Sequence, residues 1–201
     1  MAICDNHYFD MNKYLPTIPR SLNATNIDTA ISSYLNLLEK IPLSVSSNNI
    51  LTFLAKLKRE PMDKDSPYPN VTLFEAANRI FTDLTILFGV QRLLKNEVAG
   101  ICFDEYLVSF GNENNNPHDI IAIKGERKLI GEAFNVAQSF FQGKKSTALK
   151  KLRAAKVSNE IILIMFNADA VRNGYAAKII ENEYHVPVEI KLPALTNTTQ
   201  S

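Results

Sequence analysis

The segment from Ile161 to Phe166 is an uninterrupted run of six apolar residues. A strand with one face in water alternates apolar and polar residues, whereas a strand that is covered on both faces is apolar throughout. The run therefore predicts a central strand of a sheet that has helices packed on both sides. This favours a layered fold of the α/β type, an α+β sandwich.

Helical and strand periods alternate along the rest of the chain. The predicted helices span 26–41, 46–59, 72–96, 146–156 and 168–183. The predicted strands span 105–110, 119–124, 128–136, 160–166 and 186–192. The first three strands are expected to form an antiparallel meander, and the helix that follows can cross over to place the fourth strand parallel. The prediction is a mixed five-stranded sheet flanked by helices, with an edge strand at Pro187.

Three prolines and alternating charges mark residues 61–69 as a joint between two parts of the chain. The predicted parts are an N-terminal helical segment over 1–60, a main domain over 71–192 and a tail over 193–201. The net charge is only +1, so any basic surface must be local. Two distant cysteines, Cys4 and Cys102, and the absence of a signal peptide or membrane-spanning run indicate a reducing, cytoplasmic compartment.

One acidic residue stands on each strand of the predicted hairpin, Asp119 on the first and Glu132 on the second. A carboxylate among apolar residues is costly unless something compensates its charge. Two of them on paired strands are suited to a divalent cation, and Mg²⁺ prefers carboxylate oxygens. Taken alone, an Asp and a Glu at this spacing are more often structural and bond to backbone amides, and the surrounding order of elements favours the metal site.

The stretch from Ala133 to Asn159 contains no acidic residue. Its basic residues are Lys144, Lys145, Lys150, Lys151, Arg153 and Lys156. With Ser146 at a helix N-terminus, they predict contacts to DNA phosphates, although lysines on a helix often form only a solvated face. A second polar group follows the fourth strand and could read base edges. It consists of Asn167, Asp169, Arg172, Asn173 and Tyr175.

The order of elements, with acids on the second and third strands of the meander, resembles the restriction-endonuclease-like nucleases of the PD-(D/E)xK superfamily. Pro117-His118-Asp119 stands where the family has Pro-Asp, with one residue inserted. Glu132-Ala133-Phe134 stands where the family has Glu-x-Lys. The resemblance covers residues 71–192. It implies a Mg²⁺-dependent endonuclease that cuts double-stranded DNA, specifically a type II site-specific restriction enzyme that acts as a homodimer.

The same resemblance implies roles for individual residues. Asp119 and Glu132 would be catalytic and hold the metal. Phe134 replaces the family lysine that positions or activates water, and Lys144 and Lys145 are the nearest substitutes in sequence. Glu75, in the first turn of the long helix, is where family members often carry a further metal-site acid. A glutamate at this position is also favoured by the helix dipole alone.

Two other hypotheses are left open. Phe134 also fits a catalytically inactive DNA-binding or assembly protein on the same fold. Alternatively, the chain is an unrelated α/β protein in which Asp119 and Glu132 are structural. His118 is interpreted as a loop residue that points to the face opposite Asp119.

Overall fold

The computed structural model describes residues 18–41, 47–62, 68–111, 113, 116–157, 159–172, 174–176 and 180–192. The helices are α1 (Ile27–Glu39), α2 (Ile50–Arg59), α3 (Leu73–Leu94) and α4 (Phe141–Ala155). The strands are β1 (Ser21–Asn23), β2 (Glu105–Val108), β3 (Ile120–Lys124), β4 (Arg127–Phe134), β5 (Ile161–Asn167) and β6 (Glu183–Val188). Short 3₁₀ turns follow β4 at Gln138–Phe140 and β5 at Ala168–Ala170.

The strands form one mixed sheet in the order β1-β2-β3-β4-β5-β6. Neighbours from β1 to β4 are antiparallel, and β4, β5 and β6 are parallel. The predicted meander, its parallel fourth strand and the strand at Pro187 on the edge are therefore confirmed. The predicted count of five strands is wrong, because β1 adds a sixth at the β2 edge. β1 was not predicted because three residues are too few to show a strand period. Through β1, the N-terminal segment contributes to the sheet.

Apolar layers cover both faces of the sheet. One layer includes α1 and α3 and receives Leu163 and Met165 from β5. The other lies under α4 and receives Ile162, Ile164 and Phe166 from the same strand. Every residue of β5 is buried, as the apolar run predicts. Since burying one such side chain contributes roughly 1.5–3 kcal/mol, β5 is a major source of stability.

Two predicted helices differ from the structure. α4 begins at Phe141, ahead of the predicted start at Ser146, because the Phe141 ring is buried against Phe166 and Gly143 is accommodated inside the helix. The predicted helix over 168–183 is wrong, since only Ala168–Ala170 is helical among the described residues of that range. Gly174 and Asn182 have left-handed backbone angles, which interrupt a regular helix.

Further predictions concern the thiols and the membrane. Cys102 is a free, exposed cysteine, whereas Cys4 and the predicted tail over 193–201 lie outside the described residues. None of the helices in the described ranges has the length and apolar character needed to cross a membrane.

A buried carboxyl group ties α3 to the N-terminal part of the chain. Asp83 is fully buried, and its Oδ2 accepts hydrogen bonds from the hydroxyl groups of Tyr34, at 2.6 Å, and Tyr68. The Gly111 N–H donates to Oδ1 at 2.9 Å. Burial raises the pKa of Asp83 to about 7, against the opposing effect of these hydrogen bonds.

The stability contributed by Asp83 should decrease as pH rises from about 4 to about 7. In this window the folded protein keeps the proton that the unfolded chain releases, so the free energy of unfolding falls by up to roughly 1.4 kcal/mol per pH unit. Asp83→Asn should remove this slope, as measured by urea denaturation at several pH values. The exposed-carboxyl control Asp104→Asn should keep it. Parallel curves for the wild type and Asp83→Asn would contradict the prediction.

Candidate active site

Asp119 and Glu132 lie opposite each other on the hairpin of β3 and β4. Ile120 pairs with Gly131, so Asp119, the residue before β3, faces Glu132. Side chains that are directly opposite in an antiparallel pair lie on the same face of the sheet. The Ala133 N–H donates to Asp119 Oδ2 at 2.8 Å, which fixes this carboxylate against β4.

Two side chains hold the Glu132 carboxylate. Lys151 Nζ, from α4, lies 2.8 Å from Glu132 Oε1, and His118 Nδ1 lies 3.0 Å from the same oxygen. The expectation that His118 points to the face opposite Asp119 is wrong. Residues 116–119 form a bend, so the alternation of a strand does not apply to them.

Each acid retains one carboxylate oxygen for a further ligand. Within the described part of the chain, Asp119 Oδ1 and Glu132 Oε2 make no hydrogen bond or ion pair. The pKa of Asp119 is raised to about 6, chiefly by burial and next by the nearby Glu132 charge, against the lowering effects of the Ala133 N–H and Lys151. A cation bound by this pair would compensate the charge of the buried carboxylate and reduce the repulsion between Asp119 and Glu132.

Phe134 lies in an aromatic core. Its ring lies 5.9 Å from that of Phe166 in a stacked arrangement and 6.2 Å from that of Phe141. Phe134 is buried on the same face of β4 as Glu132. A cationic group therefore reaches Glu132 from α4 rather than from β4.

A cleft of about 660 Å³ opens over the acids between α3 and α4. The α3 wall consists of Phe74, Glu75, Asn78, Arg79 and Thr82. The α4 wall consists of Lys144, Thr147, Ala148 and Lys151, which recur at the spacing of one helix face. Three cations and three carboxylates line the cleft. Their formal charges cancel, so a bound cation would strengthen the attraction of the cleft for an anionic ligand.

Glu75 reaches the cleft from the first turn of α3. Its N–H donates to the Thr72 hydroxyl at 3.2 Å, and its carboxylate pairs with Arg79. Among the described residues there is no group of three or more Asp, Glu, His or Cys side chains that could hold a metal ion. Glu75 therefore does not form a three-residue metal-binding group with Asp119 and Glu132.

The other basic residues predicted on α4 lie on different faces. Lys145 Nζ lies 5.4 Å from the Phe141 ring centroid and 5.8 Å from that of Tyr175. Arg153 forms a bidentate pair with Glu183, at 2.8 and 2.9 Å. A separate open pocket is lined by Gln142, Lys145, Ser146, Leu149, Lys150 and Arg153.

The polar group after β5 is only partly available to a ligand. The Asn167 side chain bonds to the backbone N–H and carbonyl of Val136, and its amide also donates to Asp169. Arg172 is exposed and lines a small pocket beside Tyr175. Asn173 lies outside the described residues.

Sequence reasoning assigned Lys151 to DNA contacts and missed its contact with Glu132. The signal that could have found it is the spacing from Lys144. Two residues seven apart, about two turns, lie on the same helix face, whereas Lys145 is rotated by about 100° from Lys144.

Comparisons of the chain with protein-family models, curated proteins and solved structures find no match. The fold establishes an α+β protein with a six-stranded mixed sheet. A narrower class is a proposal that rests on the order of the elements and on the geometry of the cleft.

Proposed function

We propose that this cleft hydrolyses phosphodiester bonds in DNA with the help of a divalent metal ion. The observation that carries the proposal is the constellation of two facing acids and a lysine in one cleft. Among the described residues, Asp119 Oδ1 and Glu132 Oε2 have no partner, and Lys151 Nζ lies 2.8 Å from Glu132 Oε1. Paired carboxylates with a nearby ammonium group suit displacement at phosphorus.

Asp119 and Glu132 fit Mg²⁺ better than a metal that needs a complete protein cage. Mg²⁺ is usually held by one or two carboxylates and keeps several waters. When bound, the ion would supply a more acidic water and stabilise charge on a phosphate oxygen. It would also give the charge-balanced cleft a net attraction for DNA.

The lysines of the α4 wall have two distinct roles in this proposal. Lys151, fixed by Glu132, orients the attacking water and neutralises charge at the scissile phosphate. Lys144 lies on the same helix face, nearer the N-terminus of α4. It binds a neighbouring phosphate. Asp119 and Glu132, on the β3–β4 hairpin, would hold the cation.

The order α3, meander, α4 and parallel β5 supports the narrower proposal of a restriction-endonuclease-like core. Double-stranded DNA as substrate, type II site specificity, a homodimer and a cytoplasmic location belong to this proposal as predictions. DNA contacts from Lys145, Ser146, Lys150, Arg153, Arg172 and Asn173 also remain predictions.

A non-catalytic DNA-binding or assembly protein is the competing proposal. The buried Phe134 favours it, as do the two partners that Glu132 already has. It predicts DNA binding that weakens steeply with salt and no cleavage with any metal ion.

Metal removal discriminates between these proposals. We expect the purified protein to nick or linearise supercoiled plasmid in Mg²⁺, to lose this activity in EDTA and to regain it when excess Mg²⁺ is added. Mg²⁺ should also raise the melting temperature of the protein without DNA, because it binds only the folded state. Cutting in EDTA would contradict a metal mechanism. DNA binding without cutting in Mg²⁺ or Mn²⁺ would favour the non-catalytic alternative.

A further inference from the structure

Two phenylalanine side chains are exposed at the cleft that contains the acids. Phe140 is 70% exposed and Phe74 is 44% exposed, and both line the cleft. Single exposed apolar residues are common on protein surfaces. Two aromatic rings from different walls of one charged cleft are a more specific arrangement, because each offers a flat apolar surface beside groups that suit phosphate.

Both rings stand next to cations. Phe140 ends the 3₁₀ turn before α4, four residues before Lys144, so the two belong to the stripe that continues to Lys151. On the α3 wall, Phe74 occurs together with Arg79. Lys58 Nζ, from α2 and outside the cleft lining, lies 3.6 Å from the centroid of the Phe74 ring and covers one face of that ring. Aromatic and basic side chains therefore occur together on both walls of the cleft.

This combination of aromatic and basic side chains is suited to binding an unpaired DNA strand. In a duplex, each base is covered by its neighbours and its partner strand. In a single strand, a base can leave the stack and place its face on an aromatic side chain, while the phosphates follow basic residues. Exposed rings beside phosphate-binding lysines thus favour a strand with unstacked bases.

We propose that Phe74 and Phe140 stack on nucleobases of a strand whose phosphates contact Lys144 and Lys151. The cleft then prefers single-stranded or locally unpaired DNA to an intact duplex. This inference rests on the proposed function for the position of the strand. It keeps DNA as the substrate but replaces the intact duplex expected from the restriction-endonuclease-like proposal by DNA that is unpaired at the scissile bond.

Binding in EDTA tests the inference without requiring cleavage. A short fluorescent deoxyribo-oligonucleotide is titrated with the protein as a single strand and as the duplex with its complement, and anisotropy is recorded. We expect tighter binding of the single strand. Phe74→Ala and Phe140→Ala should each weaken it about tenfold, the loss of stacking on one base, and leave duplex binding unchanged. Phe140→Trp should preserve binding.

The matched control is Leu51→Ala, which removes a large side chain that is 75% exposed on α2 and outside the cleft. It should leave both affinities unchanged. A 2-aminopurine base in the single strand adds a direct readout, since stacking on Phe140 should change its fluorescence and Phe140→Ala should abolish that change.

Duplex binding as tight as single-strand binding would overturn the inference, as would unchanged single-strand binding in both alanine variants. Failure of the proposed function has a different signature. In that case no DNA is cut in Mg²⁺, whereas loss of stacking in the phenylalanine variants would still be measured in EDTA.

Discussion

Asp119→Asn and Glu132→Gln should each lower the rate of DNA cleavage by about a thousandfold or more. Both substitutions keep the size of the side chain but remove the charge that binds the metal ion. Metal-assisted stabilisation of a transition state is worth several kcal/mol, and each 1.4 kcal/mol corresponds to a factor of ten. The measurement is the single-turnover rate at fixed Mg²⁺ with the enzyme in excess over DNA.

This loss should occur without unfolding. The amide oxygen of Asn at position 119 can still accept the Ala133 N–H, which the carboxylate accepts at 2.8 Å. Because burial raises the pKa of Asp119, removing its charge should leave the melting temperature unchanged or raise it. DNA affinity in EDTA should not fall, since one negative charge beside the phosphates is gone.

Asp104→Asn and Glu97→Gln provide matched controls, because they make the same chemical changes at exposed carboxylates outside the cleft. They should cleave DNA at the wild-type rate. If the two site variants cut as fast as these controls, Asp119 and Glu132 are not the metal-binding acids, and they are structural.

The parts of the fold that were predicted correctly are those with a local period. The apolar run of β5 is long enough to indicate a strand covered on both faces, the long α3 has enough residues to define a helical period, and the structure confirms both. β1 has three residues and exists because Ser21–Asn23 pairs with β2. Such pairing over long sequence separation leaves no local period in the chain.

The acid pair was predictable for a similar reason. The register of a short hairpin follows from its turn, so Asp119 and Glu132 could be expected near each other from the sequence, and the observed pairing of Lys124 with Arg127 places them directly opposite. The lysine could not be chosen in the same way. A start of α4 at Ser146 leaves Lys144 and Lys145 outside the helix, whereas the observed start at Phe141 places Lys144 on the cleft face and Lys145 against aromatic rings.

The second prediction therefore concerns which lysine acts together with Asp119 and Glu132 in cleavage. Lys151→Ala should lower the single-turnover rate of cleavage by about a hundredfold or more, because a positioned charge or proton donor contributes about 10²–10⁴ to such reactions. Lys151→Arg should retain part of the rate. The ion pair of Lys151 with Glu132 is half-exposed at the lysine, so its loss should change stability little.

Neighbouring lysines make this prediction specific. Lys150 precedes Lys151 in sequence but lines the separate pocket on α4, and Lys145 lies against Phe141 and Tyr175. Lys150→Ala and Lys145→Ala should therefore leave the cleavage rate at saturating enzyme unchanged, although either could weaken DNA binding modestly. Equal rates for Lys150→Ala and Lys151→Ala would contradict the assignment. A large loss in Lys145→Ala alone would instead support the choice made from sequence proximity, because Lys145 would then have to move from the aromatic rings to the cleft when DNA binds.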